Sequence, residues 1–183
     1  MNDDLVTELT ARNRIFAQHA FAPSATMMPR LKTMVIGCAD PRVDPAHVLG
    51  LASGDALIIR NVGGRYTPAT RQTMATLRAV GQAEGGAPGA GWNLIVLHHT
   101  DCGITRLADN SDLLAPMFDI EAADLATKAI GDPRRAVAVD VAAIKANPFL
   151  PAEFIVSGLV YDVHSGLVET VIPPSRLGES SVA

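Results

Sequence analysis

Apolar positions along this chain follow two periods. Residues 3–20 carry Leu5, Leu9, Ile15 and Phe16 on one stripe at helical spacing, which predicts an amphipathic helix. Four later segments are apolar runs of strand length: Lys32–Gly37, Asp55–Arg60, Asn93–Leu97 and Glu153–Tyr161. Between them, three X-Pro pairs mark helix starts. Asp44-Pro45 opens a short helix, Thr67-Pro68 one that runs to about Glu84, and Asp132-Pro133 one that runs to about Ala146, stopped ahead of Pro148. Glu84–Gly89 reads as a breaker, and residues 104–131 as short helices and loop. After a turn at 162–166, Leu167–Val171 returns as an edge strand, and the tail beyond Pro173-Pro174 reads as frayed. Alternation of strands and helices, with strands apolar on both faces, predicts an α/β fold: a parallel central β-sheet flanked by helices, with an antiparallel edge strand. No internal repeat or linker divides residues 1–183, so the expectation is one domain, with residues 1–22 as an N-terminal appendage.

Composition narrows the class. Hydrophobic residues make up 48% of the 183 and charged residues 19%, which excludes a disordered chain. Aromatics are only 4%, so the core is expected to be aliphatic. A net charge of −4 with no basic block argues against a nucleic-acid partner. Apolar runs fall short of the roughly 20 residues that cross a bilayer, so no membrane partner is expected. The acidic start Met1-Asn2-Asp3-Asp4 lacks the basic and apolar regions of a secretory signal, giving a cytoplasmic address as the expectation.

The chain has two cysteines, Cys38 and Cys102. In a reducing compartment a structural disulfide is disfavoured, which leaves buried thiols or ligands. Both lie where predicted strands end, the edge at which α/β sheets bind ligands. The first strand delivers Cys38-Ala39-Asp40-Pro41-Arg42, and the third leads into His99-Thr100-Asp101-Cys102. Taken singly, each half is no more than a loop with a surface ion pair. If the two strands are neighbours, two thiolates and an imidazole converge, giving a Cys2His zinc site with one position open, as catalytic zinc requires.

These paired motifs resemble the β-class carbonic anhydrases. Arg60-Asn61-Val62-Gly63-Gly64 is similar to the family's Arg-Asn-x-Gly-Gly stretch, and Val156–Asp162 to its closing strand. The resemblance covers roughly residues 30–172. It implies a zinc ion held by Cys38, His99 and Cys102, with Asp40 and Arg42 as the catalytic pair beside it. It further implies hydration of CO2 to bicarbonate by a zinc-bound hydroxide. A homodimer or a multiple of dimers, with residues 3–20 packed on the partner subunit, is implied as well. One departure limits it. A subset of the family has a regulatory bicarbonate site with Trp three residues before the first cysteine, where this chain has Val35.

Two thiolates cancel the charge of a zinc dication, so its water is acidified less than at a three-histidine site. Asp40, held by a bidentate Arg42, can orient the nucleophile. Carbonyl sulfide or carbon disulfide hydrolysis on the same zinc is the alternative enzyme reading, and a non-catalytic zinc-stabilised module the alternative from another class. Of the remaining candidates, His98 should point away from His99 on a strand and be packed or solvent-facing. His47 is expected on the surface, and His19 and His164 structural or exposed. Gly63-Gly64 should permit close backbone approach, and Asp101 is read as capping the turn at Cys102.

Overall fold

The structure is a computed structural model describing residues 3–86, 89 and 91–179. The middle of the expected breaker, Ala87-Pro88, lies outside the described residues. Each apolar run forms a strand: β1 Thr33–Cys38, β2 Ala56–Asn61, β3 Asn93–His99, β4 Ile155–Tyr161 and β5 Val168–Arg176. They make one sheet in the order β2-β1-β3-β4-β5, parallel except for β5 against β4. From β1 the chain passes to β2 on one side and then crosses to β3 on the other. The gap between the ends of β1 and β3 is therefore the switch point where α/β sheets open a crevice.

The helices are α1 Asp3–His19, α2 Pro45–Val48, α3 Pro68–Ala83, α4 Ser111–Phe118 and α5 Pro133–Lys145. Three start as the X-Pro pairs predict. Asp44, Thr67 and Asp132 are extended, and each side chain accepts backbone N–H groups of the first turn, with proline at the first helical position. Gly103–Leu107 and Ala122–Lys128 are 3-10 turns on either side of α4, in the irregular stretch. The core is aliphatic: Ile36, Leu94, Val96, Val156 and Val160 of the sheet pack against Val137, Val141 and Ile144 of α5 and Met74 of α3.

One feature differs from the sequence reading. The edge strand does not stop at Val171 but continues through Pro173-Pro174 to Arg176. Proline lacks only a donor, and an edge strand has donors to spare on its open side; a register shift near Gly158 absorbs the misfit. Ser180–Ala183 lie outside the described residues. The helix α1 has the expected length but no cover within its own chain. Leu5, Leu9, Ile15 and Phe16 are 46–60% exposed.

Candidate metal centre

Cys38 ends β1, His99 ends β3, and these strands pair in parallel register from Thr33–Asn93 to Gly37–Leu97. Beyond His99 the chain turns through Asp101, whose left-handed φ of 51° brings Cys102 to face Cys38. The two sulfurs are 3.7 Å apart. One donor atom from each of Cys38, His99 and Cys102 lies within 4.8 Å of the others, and all three residues are buried. Val43, Ile104, Leu114, Phe118, Leu125 and Ile130 form an apolar cluster with the two cysteines.

The protonation pattern suits a metal. The His99 Nδ1–H donates to the Thr100 carbonyl at 2.8 Å, which leaves the lone pair on Nε2. That Nε2 is buried and has no hydrogen-bond partner. A buried, unpaired acceptor is costly unless something occupies it. The two thiol groups are close enough to share a hydrogen bond. Hydrogen bonding from Cys102 lowers Cys38 most; burial opposes this, and the N–H groups of Asp40 (3.4 Å) and Gly63 (3.3 Å) add to it. Cys102 is raised by the same contact and by burial. Two sulfurs and one imidazole are the donor set of a borderline-soft dication.

Beside the triad stands Asp40. Its Oδ1 accepts from the Arg42 N–H at 2.9 Å and Nε at 3.1 Å, and its Oδ2 from Nη2 at 2.8 Å. Oδ2 lies 4.0 Å from His99 Nε2. The side-chain hydrogen bond from Arg42, outweighing burial, lowers the Asp40 carboxyl to about 2, so it is ionised at neutral pH. Arg60 braces the same loop, donating to the carbonyls of Cys38 (2.9 Å) and Asp40 (2.8 Å) and to the Asp44 carboxylate.

All five residues singled out from the sequence thus meet at one sheet edge. Asp101 is more than a turn cap. Its carboxylate takes Arg42 Nη1 and Arg106 Nη2, each at 2.9 Å. Only its place between His99 and Cys102 hinted at this. His98 is packed rather than solvent-facing, while His19, His47 and His164 are exposed. Gly64 has φ +65°, and a Cβ there would meet Cys38 N and Gly37 C at 3.0 Å, so the 62–64 turn presses on the backbone of β1.

Comparison with known proteins agrees with this geometry. The family model described as carbonic anhydrase matches residues 33–168. β-Carbonic anhydrase 1 of Mycobacterium tuberculosis is 27% identical over 170 residues, covering 92% of this chain and 99% of the relative. The carbonic anhydrase of Streptococcus mutans, a solved structure, superposes with a TM-score of 0.69 at 31% identity, covering 91% of this chain and 96% of that one. Carbon disulfide hydrolase of Acidithiobacillus thiooxidans is 27% identical over 79% of this chain and 78% of its own.

Proposed function

This chain belongs to the carbonic anhydrase family, in its β class, and on that footing we propose that it catalyses the reversible hydration of CO2 to bicarbonate and a proton, with zinc held by Cys38, His99 and Cys102. One observation carries the reading: the buried, unpartnered Nε2 of His99 faces two thiols with an Arg42-clamped carboxylate 4.0 Å away.

When bound by Cys38, His99 and Cys102, zinc would supply a Lewis acid able to acidify water. The protein's own groups do the rest. The Cys38 and Cys102 sulfurs, as thiolates, would balance the dication within an apolar cluster that includes Val43 and Ile104. Asp40 is ionised and offers Oδ2 as the acceptor that orients the attacking oxygen; Arg42 keeps that carboxylate from swinging away. The apolar surroundings suit an uncharged substrate.

The assembly we propose is a homodimer or a multiple of dimers, with α1 on the partner subunit. An apolar stripe left uncovered along a whole helix supports it. Residues 1–183 then act as one catalytic domain, with 1–22 reaching across. Among the described residues no helix is long and apolar enough to cross a membrane.

Metal content and stopped-flow CO2 hydration on one sample test the function. About one zinc per chain, lost in Cys102→Ser, together with CO2 turnover is expected. Full zinc occupancy in Cys102→Ser removes the ligand assignment. A zinc-loaded enzyme that is inert to CO2 but cleaves carbon disulfide or carbonyl sulfide moves the protein to the hydrolase reading, which the Acidithiobacillus relative favours.

A further inference from the structure

Directly behind the triad lies a second polar cluster, and it is fully buried: Arg65 is 1% exposed, Asp140 2% and His98 2%. Asp140, on α5, accepts Arg65 Nε at 2.8 Å, Arg65 Nη2 at 3.1 Å, and the Tyr66 N–H at 3.1 Å. Arg65 also donates to the Lys128 carbonyl at 2.8 Å and stacks over Phe118, 4.9 Å from its ring centre. The Nε2 of His98 lies 3.2 Å from Asp140 Oδ2 and 3.2 Å from the Gly64 carbonyl. Asp140 is held below the ordinary carboxylate range: burial pushes it up, and His98 and Arg65 more than offset that. Both neighbours of the His98 Nε2 are therefore acceptors, which assigns the proton to Nε2 and makes His98 a donor to each.

The cluster reaches the metal donors by two routes. Through His98 it fixes the strand residue that precedes His99. Through Gly64 and Arg65 it fixes the turn after β2, whose Gly63 N–H donates to Cys38 Sγ. The side chain of Asn61 locks the same turn from the other side, accepting the Arg65 N–H at 2.7 Å and donating to the Arg65 carbonyl at 2.8 Å. Hydrophobic packing alone does not call for a buried Arg–Asp–His cluster, since such charges cost desolvation that apolar side chains avoid. What this cluster adds is direction: hydrogen bonds set the angle at which two separate segments meet.

We propose that Asp140, Arg65 and His98 are positioning residues for the metal centre, with His98 as the strut that ties the His99 end of β3 to the Gly63-Gly64 turn beneath Cys38. This rests on the metal reading above. Without the strut, the His99 end of β3 loses its side-chain tie to the Gly63-Gly64 turn, and the donor geometry relaxes.

The experiment compares His98→Phe with His98→Gln. Phenylalanine fills a similar volume but cannot donate. The glutamine amide can place an N–H near the position of Nε2. Zinc affinity is read by chelator competition, and donor geometry by the visible absorption of the cobalt-substituted proteins. Circular dichroism and Tm serve as the folding controls. The expected result is a folded His98→Phe protein with zinc affinity weaker by about tenfold or more and a changed cobalt spectrum. His98→Gln should return both towards wild type. If the phenylalanine variant does not fold, His98→Asn, whose amide falls short of Gly64, replaces it in the comparison. Wild-type affinity and spectrum in a folded variant that lacks a donor at the Nε2 position overturn the proposal. So does a glutamine variant no better than phenylalanine. A wild-type protein that takes up no zinc overturns instead the metal reading on which the proposal stands.

Discussion

Arg42 grips Asp101 twice, through Nη1 to the carboxylate at 2.9 Å and through Nη2 to the main-chain carbonyl at 3.0 Å. The same guanidinium holds Asp40, so one side chain fastens the loop after β1 to the turn after β3. Cys38 immediately precedes the first of these, and Cys102 lies in the second. Arg42 thereby stands to the rim of the site as His98 stands to its floor.

Replacing Arg42 by alanine should lower kcat for CO2 hydration by about tenfold to a hundredfold while zinc stays bound, because Asp40 loses the fork that aims it. Lysine should recover only part, since an ammonium is a point charge without paired donors. Rates are to be compared at matched zinc content. Wild-type kcat in the alanine variant removes Asp40 and Arg42 from the catalytic machinery.

Asp101→Asn separates positioning from stability. Asparagine tolerates the left-handed backbone at this position (φ 51°), so the turn survives. The Arg42–Asp101 pair is substantially exposed, so its loss should cost little stability. Activity should still fall several-fold as Arg42 loosens. A Tm drop without any change in kcat would assign Asp101 to the turn alone.

Asp140 gives a pH signature. Its carboxyl is depressed in the folded protein, so its contribution is complete above the unfolded value of about 3.9 and is lost as pH falls through the lower folded value. Asp140→Asn leaves Arg65 buried and unpaired, a loss of about 3 kcal/mol at neutral pH. The Tm gap between the two proteins should therefore be widest near pH 7 and close as pH drops below 4. A gap that is constant with pH contradicts the ion-pair account.

Deleting residues 1–22 should reduce the mass measured by light scattering, since α1 carries its apolar stripe uncovered. An unchanged assembly would show that α1 does not hold the subunits together.

Much of this was readable in the residues, for physical reasons. Apolar runs marked all four parallel strands, and the caps Asp44, Thr67 and Asp132 fixed three helix starts within a residue. Cys38, His99 and Cys102 stood out because thiols and imidazole at strand ends are rare and the sheet order brings β1 beside β3. Asp101 and Asp140 did not stand out. Asp140 lies on a helix that also carries Arg134, Arg135 and Lys145, and periodicity cannot tell a buried carboxylate with a partner 75 residues away from a solvated one. Pro173-Pro174 misled because proline usually ends a strand, and whether a strand is an edge depends on its neighbours.

The parallel pairing of β1 with β3 also orders events in time. Cys38 and Cys102 are separated by 64 positions, with β2 and α3 folded between them. No local segment of the nascent chain presents more than the His99–Cys102 half of the donor set. Closing so long a loop costs the unfolded chain several kcal/mol of entropy, which sheet formation must supply before three donors can meet. Metal uptake would thus be a late step in maturation, and an ion bound there would act afterwards as a clasp against unzipping of β1 from β3. In refolding followed at once by far-ultraviolet dichroism and a zinc indicator, the ion should be taken up only after the sheet signal has formed. Tight uptake that leads the sheet signal would reverse that order.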